Sequence, residues 1–178
     1  MGSDKALLPF QGAPLARVPA SLVERAAGGV VLVGNPELAA PIGYPAIPDR
    51  FPGEGPLGGI LTALEHTGSD WNLVVACDMP RLSAEFLAGL LEAAARSDAG
   101  ALLPVGPCGL PEPLCAVYHR RVRAPLGAAF ARGERKITRA LERAGIAVSL
   151  FPVAEASFFQ NVNTPEDWAA WAPHYVAK

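Results

Sequence analysis

An aspartate closes the most apolar run of the chain. Asp78 ends Leu-Val-Val-Ala-Cys-Asp, residues 73–78. A carboxylate at the mouth of an apolar core costs several kcal/mol unless it is paired or bound to a cation. The local duty open to it is capping the next helix, but Ser83 stands directly before that helical pattern and is better placed. Asp78 is therefore left without a local partner. The chemistry that suits it is coordination of Mg²⁺, which prefers carboxylate and phosphate oxygens.

Asp49 also ends a short extended segment, just before the loop FPGEGPLGG. Turn formation alone would account for it, since Asp favours turns. Gly53, Gly55, Gly58 and Gly59 lie in that loop around Pro56 and Leu57. Glycines let backbone approach a planar base or a phosphate with no Cβ in the way. The position of the loop between Asp49 and Asp78 gives it weight that its composition lacks.

Lys5 is the one cation of the opening stretch MGSDKALL. It is either solvated or placed to screen a triphosphate. Asn161 and Asn163 are two apart on a segment that reads as extended, so their amides share one side and suit hydrogen bonding to a heteroaromatic or phosphate ligand. Turn formation competes with that reading. Thr164, Pro165 and Asp167 form a helix start and need no functional explanation. Arg132, Arg135 and Lys136 surround Gly133 between two helical patterns, either as a clamp for an acidic second substrate or as a solvated turn. His66, His119 and His174 have no nucleophilic Ser or Cys beside them, so no triad is read.

These residues need a frame. Helical periodicity covers Ala13–Ala26 (with Pro19 inside), residues 57–68 after Pro56, residues 83–97, 120–133 and 136–145, and a closing segment TPEDWAAWAPHY. Short apolar runs read as strands at GGVVLVGN, YPAIPD, WNLVVACD, AGALLPV, EPLCAVYH, IAVSLFPV and FFQNVN. Continuous rather than alternating apolar strands, interleaved with helices, predict an α/β sheet covered on both faces. Such a sheet binds its ligand at the carboxyl ends of its strands. The 178 residues predict one domain with a well-buried core.

Fifteen Lys and Arg against seventeen Asp and Glu leave a net charge of −2. That argues against a general nucleic-acid surface, so an anionic ligand must be held locally. Cys77, Cys108 and Cys115 lack paired spacing, which argues against a disulfide framework or zinc site. No apolar run approaches the roughly 18 residues of a membrane span, and the amino terminus does not read as a signal peptide. The expectation is a soluble, cytoplasmic protein.

The ordered set MGSDKALLPFQGAPL, VGN, PD…GPLGGI, VVACDMP and FFQNVNTPEDW resembles the molybdenum cofactor guanylyltransferase family over nearly the whole chain. The resemblance implies a three-layer Rossmann-like nucleotidyltransferase sheet, mostly parallel, with helices on both faces. It implies transfer of GMP from MgGTP to the terminal phosphate of molybdopterin, giving the guanine dinucleotide and pyrophosphate. Lys5 and Asp78 would be catalytic, and Asp78 would hold Mg²⁺. Lys5, Asn35, Asp49, Gly55, Pro56, Leu57 and Asp78 would contact GTP, while Asn161, Asn163 and Arg135 would face the pterin. The implied partners are GTP and molybdopterin, with transient contacts to molybdoenzymes or cofactor-delivery proteins and none to nucleic acid or membrane.

In that family the MG-x-DK stretch follows an apolar strand and a glycine-rich LAGG…R loop. The resemblance therefore implies a start upstream of Met1; without it the sheet would lack its first strand and the site most of its backbone donors. Two rival readings stay open. One is the same fold acting with CTP on molybdopterin, or on a sugar phosphate. The other is a non-catalytic molybdopterin-binding module.

Overall fold

The computed structural model describes residues 5–10 and 12–159. The described chain opens with a 3₁₀ turn, Lys5–Leu7, and a small antiparallel hairpin of β1 (Pro9–Phe10) and β2 (Ala13–Pro14). Helix α1 (Arg17–Ala27) begins four residues later than its apolar period suggests. Pro19 thereby falls in the first turn, where its missing N–H interrupts no helical bond. Gly28 ends α1 at φ 77°, donating its N–H to Glu24 O, a left-handed cap that glycine adopts without strain. Then come β3 (Leu32–Val33), the short helix α2 (Pro36–Ala39), a 3₁₀ turn Ala40–Ile42 and β4 (Ala46–Ile47). β3 and β4 pair in parallel as a separate two-stranded ladder.

The remainder forms the main body: α3 (Pro56–His66), β5 (Trp71–Val75), α4 (Ala84–Ala95), β6 (Ala101–Val105), β7 (Cys115–His119), α5 (Arg123–Ala131), α6 (Ile137–Arg143) and β8 (Val148–Pro152). Their sheet has the order β5-β7-β6-β8. β7 is antiparallel to both its neighbours and β6 is parallel to β8, so three of the four strands run the same way. The strand expected at FFQNVN differs where it is described: Phe158 and Phe159 lie in a 3₁₀ turn, Ala156–Phe159. Its continuation, and the helix expected at TPEDWAAWAPHY, lie outside the described residues.

Alternation along the strands divides the core into two layers, as expected for a sheet covered twice. Ala101, Leu103, Ala116 and Tyr118 face α3, α5 and α6, meeting Leu57, Ile60, Leu64, Leu126 and Leu141. Leu102, Cys115 and Val117 face the other way, meeting Leu22 and Val23 of α1 and Leu87, Leu90 and Ala94 of α4. Tyr118, fully buried, satisfies its hydroxyl by donating to Pro113 O at 2.7 Å.

β5 departs from this pattern: all five of its residues are only half-buried. Helices cover both of its faces, so the exposure comes from its side. Among the described residues no strand pairs with the edge of β5 away from β7, or with the edge of β3 away from β4. A cavity of about 990 Å³ opens there, walled by residues 29–35 and 71–78 and by small apolar residues of α1 and α3.

Candidate functional site

The polar end of that cavity is where the strands finish. Asp78 lies in the turn after β5, half-buried, on the cavity wall together with exposed Cys77. Ser83 caps α4 by accepting from Phe86 N at 3.1 Å, so the capping duty is filled without Asp78. Among the described residues the Asp78 carboxylate has no hydrogen bond and no ion pair. Its expected lack of a local partner is what the structure shows.

Glu112, which the sequence reading passed over, comes next to it. The β5–β7 register pairs Val75 with Cys115, and Ala76 N donates to Leu114 O at 2.8 Å. Beyond the ladder residues 112–115 turn, Cys115 N donating to Glu112 O at 3.3 Å, and Glu112 lies near enough to Asp78 to feel its charge. Glu112 Oε1 accepts from Leu114 N at 3.2 Å. Burial pushes its carboxyl above the usual range, the Leu114 N–H pulls it partly back, and the Asp78 charge adds to the rise. Two carboxylates of one sign thus share a partly desolvated rim, an oxygen-rich setting that a divalent cation relieves.

On the opposite wall stands Asn35, exposed, at the end of β3. Its Oδ1 accepts from Glu37 N at 2.9 Å and caps α2. Beside it, Asp49 N donates to Gly34 O at 3.3 Å. The half-buried Asp49 organises the next loop: its Oδ1 accepts from Phe51 N and from the Thr62 hydroxyl, each at 3.0 Å. Thr62, 4% exposed, also lies 3.0 Å from Gly58 O and accepts from Arg50 N at 3.2 Å. The turn role considered for Asp49 is therefore real, and it uses one carboxylate oxygen.

The glycine loop then enters α3. Gly53 and Gly55 have φ of 79° and 85°, values that a side chain would strain, and Pro56 occupies the first helical position. Gly58 is needed for another reason: a Cβ there would stand 2.8 Å from the Phe51 Cβ. Pro56 and Gly59 line the cavity, so the positive end of α3 lies at its rim. Leu57 is fully buried in the core, which leaves only its backbone for any ligand.

The remaining expected site residues fall elsewhere. Arg135 is engaged with Glu54 of the glycine loop, through Nε at 2.8 Å and Nη2 at 2.7 Å, rather than standing free. The side chain of Lys5 lies outside what the structure describes, as do Asn161 and Asn163. Asn35, Pro56 and Asp78 are brought to one cavity, with Asp49 immediately behind Asn35. Among the described residues no three His, Cys, Asp or Glu side chains gather as a metal cluster, and no helix is long and apolar enough to cross a membrane.

Comparison with known proteins agrees with this fold. Residues 1–146 match the family described as the MobA-like NTP transferase domain. A probable molybdenum cofactor guanylyltransferase of Deinococcus radiodurans is 37% identical over 171 residues, spanning 94% of this chain and 85% of that protein. A second, from Methanothermobacter thermautotrophicus, is 34% identical over 182 residues, spanning 94% and 90%. Among solved structures, molybdopterin-guanine dinucleotide biosynthesis protein A of Archaeoglobus fulgidus superposes with a TM-score of 0.77 at 30% identity, covering 95% of this chain and 89% of that one.

Proposed function

This chain belongs to the MobA-like NTP transferase family, and from that premise we propose that it is a guanylyltransferase moving GMP from GTP to molybdopterin. The products are molybdopterin guanine dinucleotide and pyrophosphate. The observation that carries the reading is the Asp78 carboxylate, unpartnered among the described residues, at the carboxyl end of β5 on a cavity rimmed by Asn35 and the amino end of α3.

The residues suit the reaction. A terminal phosphate oxygen of molybdopterin forms a bond to the α-phosphorus of GTP as the α–β bridging bond breaks, and the electron pair leaves with pyrophosphate. The attacking phosphate is already largely ionised near neutral pH, so no general base is required. Such transfers depend on positioning and charge neutralisation more than on covalent help. Asp78, with Glu112 beside it, fits a hard divalent cation by its oxygen donors and its lack of other partners among the described residues. We assign the metal as Mg²⁺; when bound it supplies charge neutralisation at the phosphates. Asp78 fixes the metal side of the nucleotide. Pro56 and the Leu57 backbone present the positive end of α3 to it, the φ freedom of Gly55 permits close approach, and Asn35 with Asp49 flanks the nucleoside. Lys5 is assigned to the triphosphate, and Asn161 and Asn163 to the pterin side.

The reading is tested by mixing the protein with molybdopterin, Mg²⁺ and GTP, CTP or UTP in turn, while following pyrophosphate and the dinucleotide. Formation of the guanine dinucleotide with GTP supports it. A preference for CTP would reassign the nucleotide, and molybdopterin binding without pyrophosphate from any nucleotide would leave a binding module.

A further inference from the structure

Glu54 sits between Gly53 and Gly55, both at positive φ. Two neighbouring residues without a Cβ leave the loop backbone little intrinsic preference for one shape. Within the loop one turn bond, Glu54 N donating to Phe51 O at 3.1 Å, helps to hold that shape. The structure shows a device reaching it from the α5–α6 turn. The Arg135 guanidinium meets Glu54 Oε2 through Nε at 2.8 Å and Nη2 at 2.7 Å. Its Nη1 donates to Phe130 O at 2.8 Å and to Glu134 O at 3.1 Å. Its plane lies over the Phe130 ring, 4.0 Å from the centroid.

An exposed ion pair alone is worth little, because holding two long side chains costs entropy. Here, however, the guanidinium is already fixed on its own side by two carbonyls and a ring, so less freedom is lost when Glu54 joins it. The anchor itself is rigid. Phe130 is buried and packs tilted against Phe51, 4.8 Å between centroids. Phe51 packs against Gly58 and donates its N–H to Asp49, so the contacts run unbroken from α5 to the cavity rim.

We propose that Arg135 is a positioning residue, latching the glycine loop through Glu54 in the shape that accepts the nucleotide. This rests on the nucleotide reading of that loop given above. It differs from a pterin clamp, which would need Arg135 turned toward the second substrate.

Three variants of the intact protein separate these roles. Arg135→Ala should raise KM for GTP roughly tenfold while changing kcat less, and Glu54→Ala should reproduce that effect. Arg135→Lys should rescue only in part, because an ammonium cannot span Glu54 and both carbonyls. Amide exchange at residues 53–55, measured without substrates, should quicken in both alanine variants. A pterin clamp predicts instead that Arg135→Ala raises KM for molybdopterin and that Glu54→Ala does not copy it; that outcome overturns the latch. Unchanged loop exchange overturns it without touching the guanylyltransferase assignment, which the wild-type assay decides separately.

Discussion

Replacing Asp78 by asparagine keeps the shape and removes the charge, and the structure gives opposite magnitudes for stability and activity. No hydrogen bond or ion pair to Asp78 is lost among the described residues, and the repulsion from Glu112 disappears. The stability change should stay within about 0.5 kcal/mol, or roughly 1–2 °C in Tm for a chain of this size. Activity should fall about 10²–10³-fold, the usual cost of removing one preorganised electrostatic group from a transition state. Linkage supplies a third readout. Mg²⁺ and GTP at about 100 times Kd should stabilise the wild type by roughly 2.7 kcal/mol, and Asp78→Asn should lose most of that gain. The assays are pyrophosphate release across a Mg²⁺ titration, and thermal melts in EDTA and in Mg²⁺ with GTP. An Asp78→Asn protein that melts about 5 °C lower in EDTA yet releases pyrophosphate at the wild-type rate would show a structural aspartate and refute the reasoning.

Other outcomes follow from particular contacts. Thr62→Val leaves Arg50 N without its acceptor and removes the hydroxyl from Asp49, so denaturant titration should show a loss of about 2 kcal/mol, or roughly 4–8 °C in Tm. Gly58→Ala pushes a methyl against the Phe51 Cβ, costing about 1–3 kcal/mol and raising KM for GTP. Gly100→Ala, whose Cβ would meet Val122 Cγ1 at 2.6 Å at the other end of the sheet, should lower Tm and leave KM alone. Equal KM shifts in the two glycine variants would defeat the distinction. Glu112 has a raised folded pKa, so its favourable contribution is present below the ordinary carboxylate range and lost as pH rises through the elevated value. Glu112→Gln keeps the acceptor for Leu114 N and should be more stable than wild type near neutrality in EDTA, with the advantage vanishing in acid; urea titrations at the two extremes check the sign.

Asp78 was legible in the sequence because Ser83 could be seen to take the only local duty. The order of α3, β5, α4 and β6 was legible because each is continuous, apolar and bounded by Gly, Pro or Ser. Glu112 was not, since its place beside Asp78 depends on a β5–β7 register joining residues about forty apart in sequence, and local periodicity carries no information about pairing partners. The engagement of Arg135 was hidden for the same reason: Glu54 lies 81 residues away. The late start of α1 was missed because Ala13 and Pro14 satisfy the helical period while pairing with Phe10 and Pro9. There a tight hairpin, between residues three and five apart, overrides the helical preference.

The two halves of the site stand on different sheets. Asn35 and Asp49 follow β3 and β4, a ladder of two residue pairs, and Asp78 follows the four-stranded sheet. A ladder so short cannot persist unaided; it leans on α3 and on the Ala39–Ile42 cluster. Its amides should exchange with solvent far sooner than those of β6 and β7, making this bank of the cavity the first to part. A nucleotide gripped from both banks would then act as a suture, and binding would be measurable as slowed exchange at Leu32 and Gly34, two of the amides that tie β3 to β4.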